Sequence, residues 1–135
     1  MTRIESDAAM INKSQAKIFE FLGDMNNFGK LMPEQVINWK SDKDSCSFTI
    51  KGMADISLKI TDRIPSSRIV MTAGEQVPVK FTLECELLNM KENVTSGRII
   101  MNAELNAMME LLAKNPLQNF VNMLSKKMID LEDQY

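Results

Sequence analysis

The chain has 135 residues, of which 44% are hydrophobic and 25% charged, proportions typical of one globular domain. A chain of this length can bury a sizeable core without disulfides or metals. It contains no histidine, which excludes Ser-His and Cys-His nucleophile pairs and every histidine-ligated metal site. The formal net charge of -2 predicts no broad basic surface for nucleic acid or for an anionic membrane.

The two cysteines, Cys46 and Cys85, form no Cys-x-x-Cys pair, so zinc and thioredoxin-type sites are not expected. We expect reduced, buried thiols rather than a disulfide, because free cysteine behaves as a small hydrophobe. Residues 1–7 lack the apolar region of a signal peptide, and no apolar run approaches the length of a membrane span. We therefore predict a cytoplasmic protein without cofactor, metal or integral membrane segment.

The first 33 residues predict a strand and two short helices. Residues 3–11 favour a strand with Ile4, Ala8 and Met10 on one side. Ser14 is a typical N-cap for the amphipathic helix that follows. Its apolar stripe consists of Ile18, Phe21, Leu22 and Met25, and we expect it to end at Asn26-Asn27. A short second turn over residues 28–32 should stop at Pro33, since the residue before proline disfavours helical geometry.

From Val36 to Leu105 the hydrophobic period changes to 2, which predicts about six antiparallel strands joined by short turns. Such a meander has one dry face and one wet face. The alternation assigns to the dry face Cys46, Phe48, Ile50, Ile56, Leu58, Ile60, Met71, Phe81, Leu83, Cys85, Leu87 and Met101. The carboxylates of Asp55, Glu84, Glu86 and Glu104 are assigned to the wet face.

The last 30 residues return to helical spacing, with an obstacle at Asn115-Pro116. Met108, Leu111 and Leu112 form one apolar stripe, and Leu117, Phe120, Val121, Leu124, Met128 and Leu131 form another. A continuous helix would carry these stripes on opposite sides. Proline also removes a helical donor. We therefore predict a short helix near 107–114, a break or strong kink, and a second helix from 116 to about 131.

This order of elements resembles the helix-grip fold of the START-like (SRPBCC) superfamily, which includes polyketide cyclase-like proteins. The resemblance is carried by Ile18-Phe19-Glu20-Phe21-Leu22-Gly23-Asp24, by Leu31-Met32-Pro33 and by the helix over residues 120–131. It implies one α+β domain over residues 1–135, with a curved antiparallel sheet of about seven strands wrapped round a long C-terminal helix. It also implies a cavity between sheet and helix for a small apolar molecule.

The residues assigned to the interior include no Asp, Glu, Lys or Arg, so the sequence favours a binder or carrier of a small hydrophobic ligand, lipid-like or aromatic, without catalysis. The predicted ligand-binding residues are Trp39, Phe48, Ile56, Leu58, Ile60, Met71, Phe81, Leu83, Cys85, Met101, Phe120, Val121, Leu124 and Met128. Methionine, with 12 residues, is the most unusual excess, and its flexible side chain suits promiscuous apolar surfaces.

Two other functions stay open at this point. A one-residue register slip would turn carboxylates inward and allow a polyketide cyclase or dehydratase that uses Cys85 or a carboxylate. Related folds also include protein-interaction modules of the chaperone-activator type. Met108, Leu111 and Leu112, together with Ile129, point away from the main stripe and indicate either a homodimer contact or cover for an edge of the sheet.

Overall fold

The computed structural model describes residues 1–135 and has the predicted α+β architecture, one curved antiparallel sheet packed against a long C-terminal helix. The strands are β1 (Thr2–Glu5), β2 (Ala9–Ile11), β3 (Val36–Ser41), β4 (Ser45–Ile50), β5 (Ala54–Ile64), β6 (Arg68–Ala73), β7 (Phe81–Lys91) and β8 (Val94–Ala103). The helices are α1 (Gln15–Leu22), α2 (Met25–Phe28) and α3 (Ala107–Asp130), with 3-10 turns at Gly29–Leu31 and Glu132–Gln134.

The sheet is a meander of β3 to β8, and the two N-terminal strands pair with β8 at one edge of it. Its strand order is β1-β8-β7-β6-β5-β4-β3, and β2 also pairs with β8. The predicted alternation is confirmed through β4 to β8: the dry-face side chains are buried or half-buried around one core, and α3 covers that face. The order of the central strands follows from short hairpins, which force consecutive strands to pair.

The sheet has eight strands rather than about seven because the first predicted strand is divided after Glu5. Ser6 is buried at this point, and its Oγ accepts a hydrogen bond from the Ile99 N–H at 2.9 Å. The alternation then shifts by one residue, so that Ala9 and Ile11 are buried while Ala8 and Met10 are exposed. The placement of Ala8 and Met10 on the same side as Ile4 was therefore wrong, since the division of the strand resets its two-residue period.

The first helix begins as predicted and ends earlier. Ser14 is its N-cap, with its Oγ accepting the Lys17 N–H at 3.3 Å. The helix ends at Leu22 rather than at Asn26-Asn27, because Gly23 follows it and the Asp24 carboxylate caps a new helix, α2, by accepting the Asn26 N–H at 2.9 Å. The Gly23 carbonyl accepts from the Arg63 guanidinium at 2.9 Å, which ties the end of α1 to β5.

The predicted break at Asn115-Pro116 was wrong, because α3 is continuous from Ala107 to Asp130 with Pro116 inside it. Pro116 lies on the exposed side of the helix. There, water can satisfy the Leu112 carbonyl that loses its partner. On the opposite side Met109, Ala113, Leu117, Phe120 and Leu124 follow one another at helical spacing and face the sheet. The helix therefore carries two apolar faces in its first half, the arrangement that sequence reasoning had rejected.

Candidate ligand cavity

A cavity of about 360 Å³ lies between the concave face of the sheet and the first half of α3. Strands β4, β5, β7 and β8 form its floor, α3 forms its roof, and the loop between β6 and β7 forms a side wall. The lining residues are Met32, Phe48, Ile50, Met53, Ala54, Ile56, Leu58, Val77, Pro78, Val79, Phe81, Leu83, Met101, Ala103, Leu105, Met109, Ala113, Leu117 and Phe120. Met53 is 61% exposed and so marks the mouth.

None of these 19 side chains contains a nitrogen or an oxygen atom. The wall exposes almost no backbone nitrogen or oxygen either. In its floor, Leu58 of β5 and Leu83 of β7 are paired on both sides, whereas Ala54, Ile56 and Phe81 are paired on one side only. The wall also contains four methionines, whose flexible side chains can adapt to the shape of a ligand. They are Met32, Met53, Met101 and Met109. The cavity can therefore offer apolar contact and shape adaptation, and it offers no acid, base or nucleophile.

Half of the predicted ligand-binding residues line the cavity. They are Phe48, Ile56, Leu58, Phe81, Leu83, Met101 and Phe120. The others, Trp39, Ile60, Met71, Cys85, Val121, Leu124 and Met128, belong to the core and do not reach it. That the lining residues contact a ligand stays a prediction.

The interior is solid at one end because the second half of α3 packs directly on the sheet. At Gly97 of β8, a Cβ atom would come within 2.5 Å of the Met128 Cε atom. The hollow end has alanines on both sides, Ala54 and Ala103 in the sheet and Ala113 in the helix. Short side chains leave the space that longer ones fill elsewhere.

Sequence reasoning missed lining residues of the roof and of the side wall for two reasons. Ala113 and Met109 belong to the part of α3 whose inward side depends on the helix being continuous. Val77, Pro78 and Val79 lie in the loop between β6 and β7, where no periodicity indicates which side chains turn inward. The one available signal was the apolar run Val77-Pro78-Val79 within an otherwise polar turn segment, and Val77 is buried in the structure.

Trp39 supports the cavity wall from behind. Its ring stacks on Phe48 with the centroids 5.2 Å apart and the planes at 19°. Gly29 lies against the indole, and a Cβ atom there would come within 2.5 Å of the ring. The adjacent Asn38 has a φ of 57°, at an irregularity in the pairing of β3 with β4. Trp39 thus holds Phe48 in place without lining the cavity.

The two thiols are buried and free, as the sequence predicted. Burial raises the pKa of Cys85 from its ordinary 9.0 to about 12, with a smaller contribution from the charge of Glu86. Burial likewise raises the pKa of Cys46 to about 12, and the charge of Asp42 adds to it. Neither sulfur lines the cavity. A cyclase reaction would therefore have no thiol nucleophile beside a molecule bound in the cavity.

From the raised pKa values of these thiols we predict that the protein loses stability in alkaline solution. The folded chain keeps both protons up to about pH 12, whereas unfolded thiols ionise near pH 9. Between pH 9 and 10 the folded state therefore binds more protons, and its free energy of unfolding should fall by up to about 1.4 kcal/mol per pH unit for each thiol. Urea unfolding under reducing conditions at pH 8, 9 and 10 measures this slope. The double variant Cys46→Ala/Cys85→Ala should show a much flatter dependence, and an equal slope in both proteins would contradict the assignment.

The register of the strands places the predicted outward carboxylates on the face away from the cavity. Glu84 and Glu86 lie there beside Arg68, at 3.3 Å and 3.0 Å from its guanidinium nitrogens. Their side chains are only 12% and 17% exposed, because Arg68 and neighbouring side chains cover them. No register slip brings a carboxylate inward, and the cyclase alternative lacks an acid or base in the cavity.

A larger polar cleft of about 820 Å³ lies elsewhere, open to solvent beside α1. Its charged residues are Lys17, Glu20, Asp24, Lys43, Asp44 and Arg63. Arg63 is already used, since it contacts the Gly23 carbonyl and lies 2.6 Å from Asp44 Oδ1. Opposite charges balance within the cleft, so it presents no field that would select a ligand of one sign. We take the smaller apolar cavity as the candidate site.

Two further observations bear on the predicted absence of metal and membrane segments. No three Cys, Asp or Glu side chains come together in a way that could hold a metal ion. No helix combines the length and the apolar character needed to cross a bilayer.

The overall arrangement is shared with solved structures, although no protein-family model and no curated protein matches the chain. An uncharacterized protein from Bacillus thuringiensis superposes with a TM-score of 0.75 at 10% identity, over 97% of this chain and 98% of that one. A conserved protein from Geobacillus kaustophilus gives 0.74 at 15% identity, over 98% and 96%. The Aha1 dimer from Colwellia psychrerythraea gives 0.65 at 19% identity, over 98% of each chain. At these identities the likeness shows the fold alone, and that fold is consistent with a helix-grip arrangement.

Proposed function

We propose that this chain is a START-like protein that binds or carries a small hydrophobic molecule in the cavity under α3. The observation that supports this function is the cavity itself, enclosed by sheet and helix and lined only by apolar side chains. Burial of apolar surface contributes about 25 cal/mol per Å² removed from water, so such a wall attracts apolar molecules without specific polar contacts. At about 360 Å³ the cavity lies near the lower end of the range for small-molecule sites. The expected ligand therefore has the size of one or two rings or a short chain.

Two measurements test this proposal. Native mass spectrometry of protein purified without detergent should detect a copurified small molecule, and organic extraction should release it. Titration with N-phenyl-1-naphthylamine, a neutral apolar probe, should give saturable fluorescence enhancement with one site per chain. The absence of both a copurified molecule and saturable probe binding would contradict the function.

A homodimer, one of the two roles that the sequence left open for Met108, Leu111 and Leu112, is our second proposal, and the outer face of α3 supports it. Met108, Leu111 and Leu112 are 72%, 83% and 72% exposed and lie side by side on that face. A two-fold axis beside Leu111 would bury the three side chains against their own copies. The face is small compared with the roughly 800 Å² that each partner buries in a standard interface, so we expect a dimer that dissociates on dilution. The Colwellia neighbour, which is a dimer, lends this proposal limited support.

The change Leu111→Glu tests the dimer. Sedimentation equilibrium should give twice the mass of the chain for the wild type at high concentration, and the mass of one chain for the variant, because like charges would meet at the axis. Leu88→Glu is a matched control, since Leu88 is 49% exposed on strand β7, outside this face. A wild type that stays monomeric at high concentration would exclude the dimer.

A further inference from the structure

The cavity is unusual in having no side chain that can hydrogen-bond to a ligand. Sites for small molecules ordinarily combine apolar walls with a few placed polar groups that fix orientation. Here the side chains contribute none, and the wall exposes almost no backbone nitrogen or oxygen.

The nearest polar side chains are also occupied or out of reach. Ser57 and Gln76 hydrogen-bond to each other beside a groove on the other side of β5. The Trp39 indole N–H is buried and has no partner, but Trp39 packs behind Phe48 and does not line the cavity. A polar group carried into the cavity would therefore lose its water without replacement. For an amide this loss costs affinity, and for an ionised group it costs far more.

We infer that the cavity selects its ligand by the absence of charge and of hydrogen-bonding groups: it holds neutral hydrocarbon-like or aryl molecules and rejects the same skeleton bearing a carboxylate. This inference deepens the proposed function and rests on it. Shape contributes less to the selection, because the flexible methionines of the wall conform to different outlines. Any polar group that a natural ligand carries must then lie at the mouth, near Met53, where water is available.

A ligand series of one skeleton tests the selection: 2-methylnaphthalene, 2-naphthamide and 2-naphthoate, measured at pH 7 by displacement of N-phenyl-1-naphthylamine. We expect the amide to bind at least tenfold more weakly than the hydrocarbon, and the carboxylate at least a hundredfold more weakly. Wild-type protein that binds 2-naphthoate as tightly as 2-methylnaphthalene would overturn the inference while leaving the proposed function intact. Failure of all three ligands and of the probe, in protein that also carries no copurified molecule, would overturn the proposed function itself.

A pair of variants separates this selection from the general hydrophobicity of the ligands. Met109→Lys places an ammonium in the roof of the cavity, on a side chain long enough to approach the mouth. It should tighten 2-naphthoate binding at least tenfold and weaken 2-methylnaphthalene binding. Met108→Lys adds the same charge one residue away on the exposed face of the helix and should change neither. Equal effects of the two variants would contradict the inference, and the wild-type series decides it alone if Met109→Lys does not fold.

Discussion

Replacing Ala113 by phenylalanine is expected to weaken the binding of N-phenyl-1-naphthylamine at least tenfold, while leaving the free energy of unfolding unchanged or slightly higher. Ala113 lies in the roof, opposite the floor strands, and its small side chain leaves part of the cavity empty. A phenyl ring would occupy space that the ligand needs. Filling an apolar void without strain also adds packing contacts, which stabilises the folded state by about 1 kcal/mol.

The measurement combines probe titration with thermal unfolding. Ala16→Phe is the matched control, because Ala16 lies exposed on α1, away from the cavity. That control should bind the probe like the wild type. Loss of stability and of binding together in Ala113→Phe would indicate overpacking. Unchanged binding with unchanged stability would place the ligand elsewhere and refute the assignment of the cavity.

Replacing Leu58 by aspartate is expected to remove at least about 4 kcal/mol of stability, enough to unfold a marginally stable domain. Leu58 is buried in the floor, paired with Cys46 of β4 and Ala73 of β6, and no cation lies on this face to pair with a carboxylate. An unpaired buried charge is among the costliest single changes. Because burial raises the pKa of such a carboxyl, the loss should be largest at pH 7 and shrink as the pH falls towards 4.

Urea unfolding followed by circular dichroism gives the difference in the free energy of unfolding. Glu84→Gln is the control on the opposite face of the sheet, where the amide oxygen still accepts from Arg68 and only the long contact with Asn102 is lost. It should cost less than about 1 kcal/mol, as expected for a partly exposed ion pair. A large loss in Glu84→Gln, together with a small loss in Leu58→Asp, would mean that the two faces had been interchanged.

The central strands were predictable because their alternation is unbroken. Ala54, Ile56, Leu58 and Ile60 alternate with polar residues in β5, and Phe81 to Leu87 do the same in β7. A strand with this pattern can bury its apolar side chains only by turning them all to one face of the sheet. The direction of each side chain therefore follows from the two-residue period alone. The Ser14 cap and the free cysteines were predictable for a similar reason, since each depends on residues close by in the sequence or on composition.

The failures concern places where distant parts of the chain override local preference. Pro116 is a helix breaker in isolation, and only its position on the solvent side of α3 makes it tolerable. Ser6 is a polar residue that is nevertheless buried, because its Oγ accepts a hydrogen bond from the Ile99 N–H of β8. Gly23 and Asp24 divide the first helical stretch, with Arg63 of β5 covering the end of α1. The partners of Ser6 and of Gly23 are both far away in the sequence.

The amino-acid sequence by itself determined the α+β class, the apolar and uncharged concave face and the helix that covers it. Each of these features follows from the hydrophobic periodicity of residues that are close together in the chain. Tertiary structure alone decided that the interior is solid around Met128 and hollow beside Ala113. A cavity is space left between elements that pack from different parts of the chain. Its size and mouth depend on how the continuous helix lies across the sheet, which no single segment specifies.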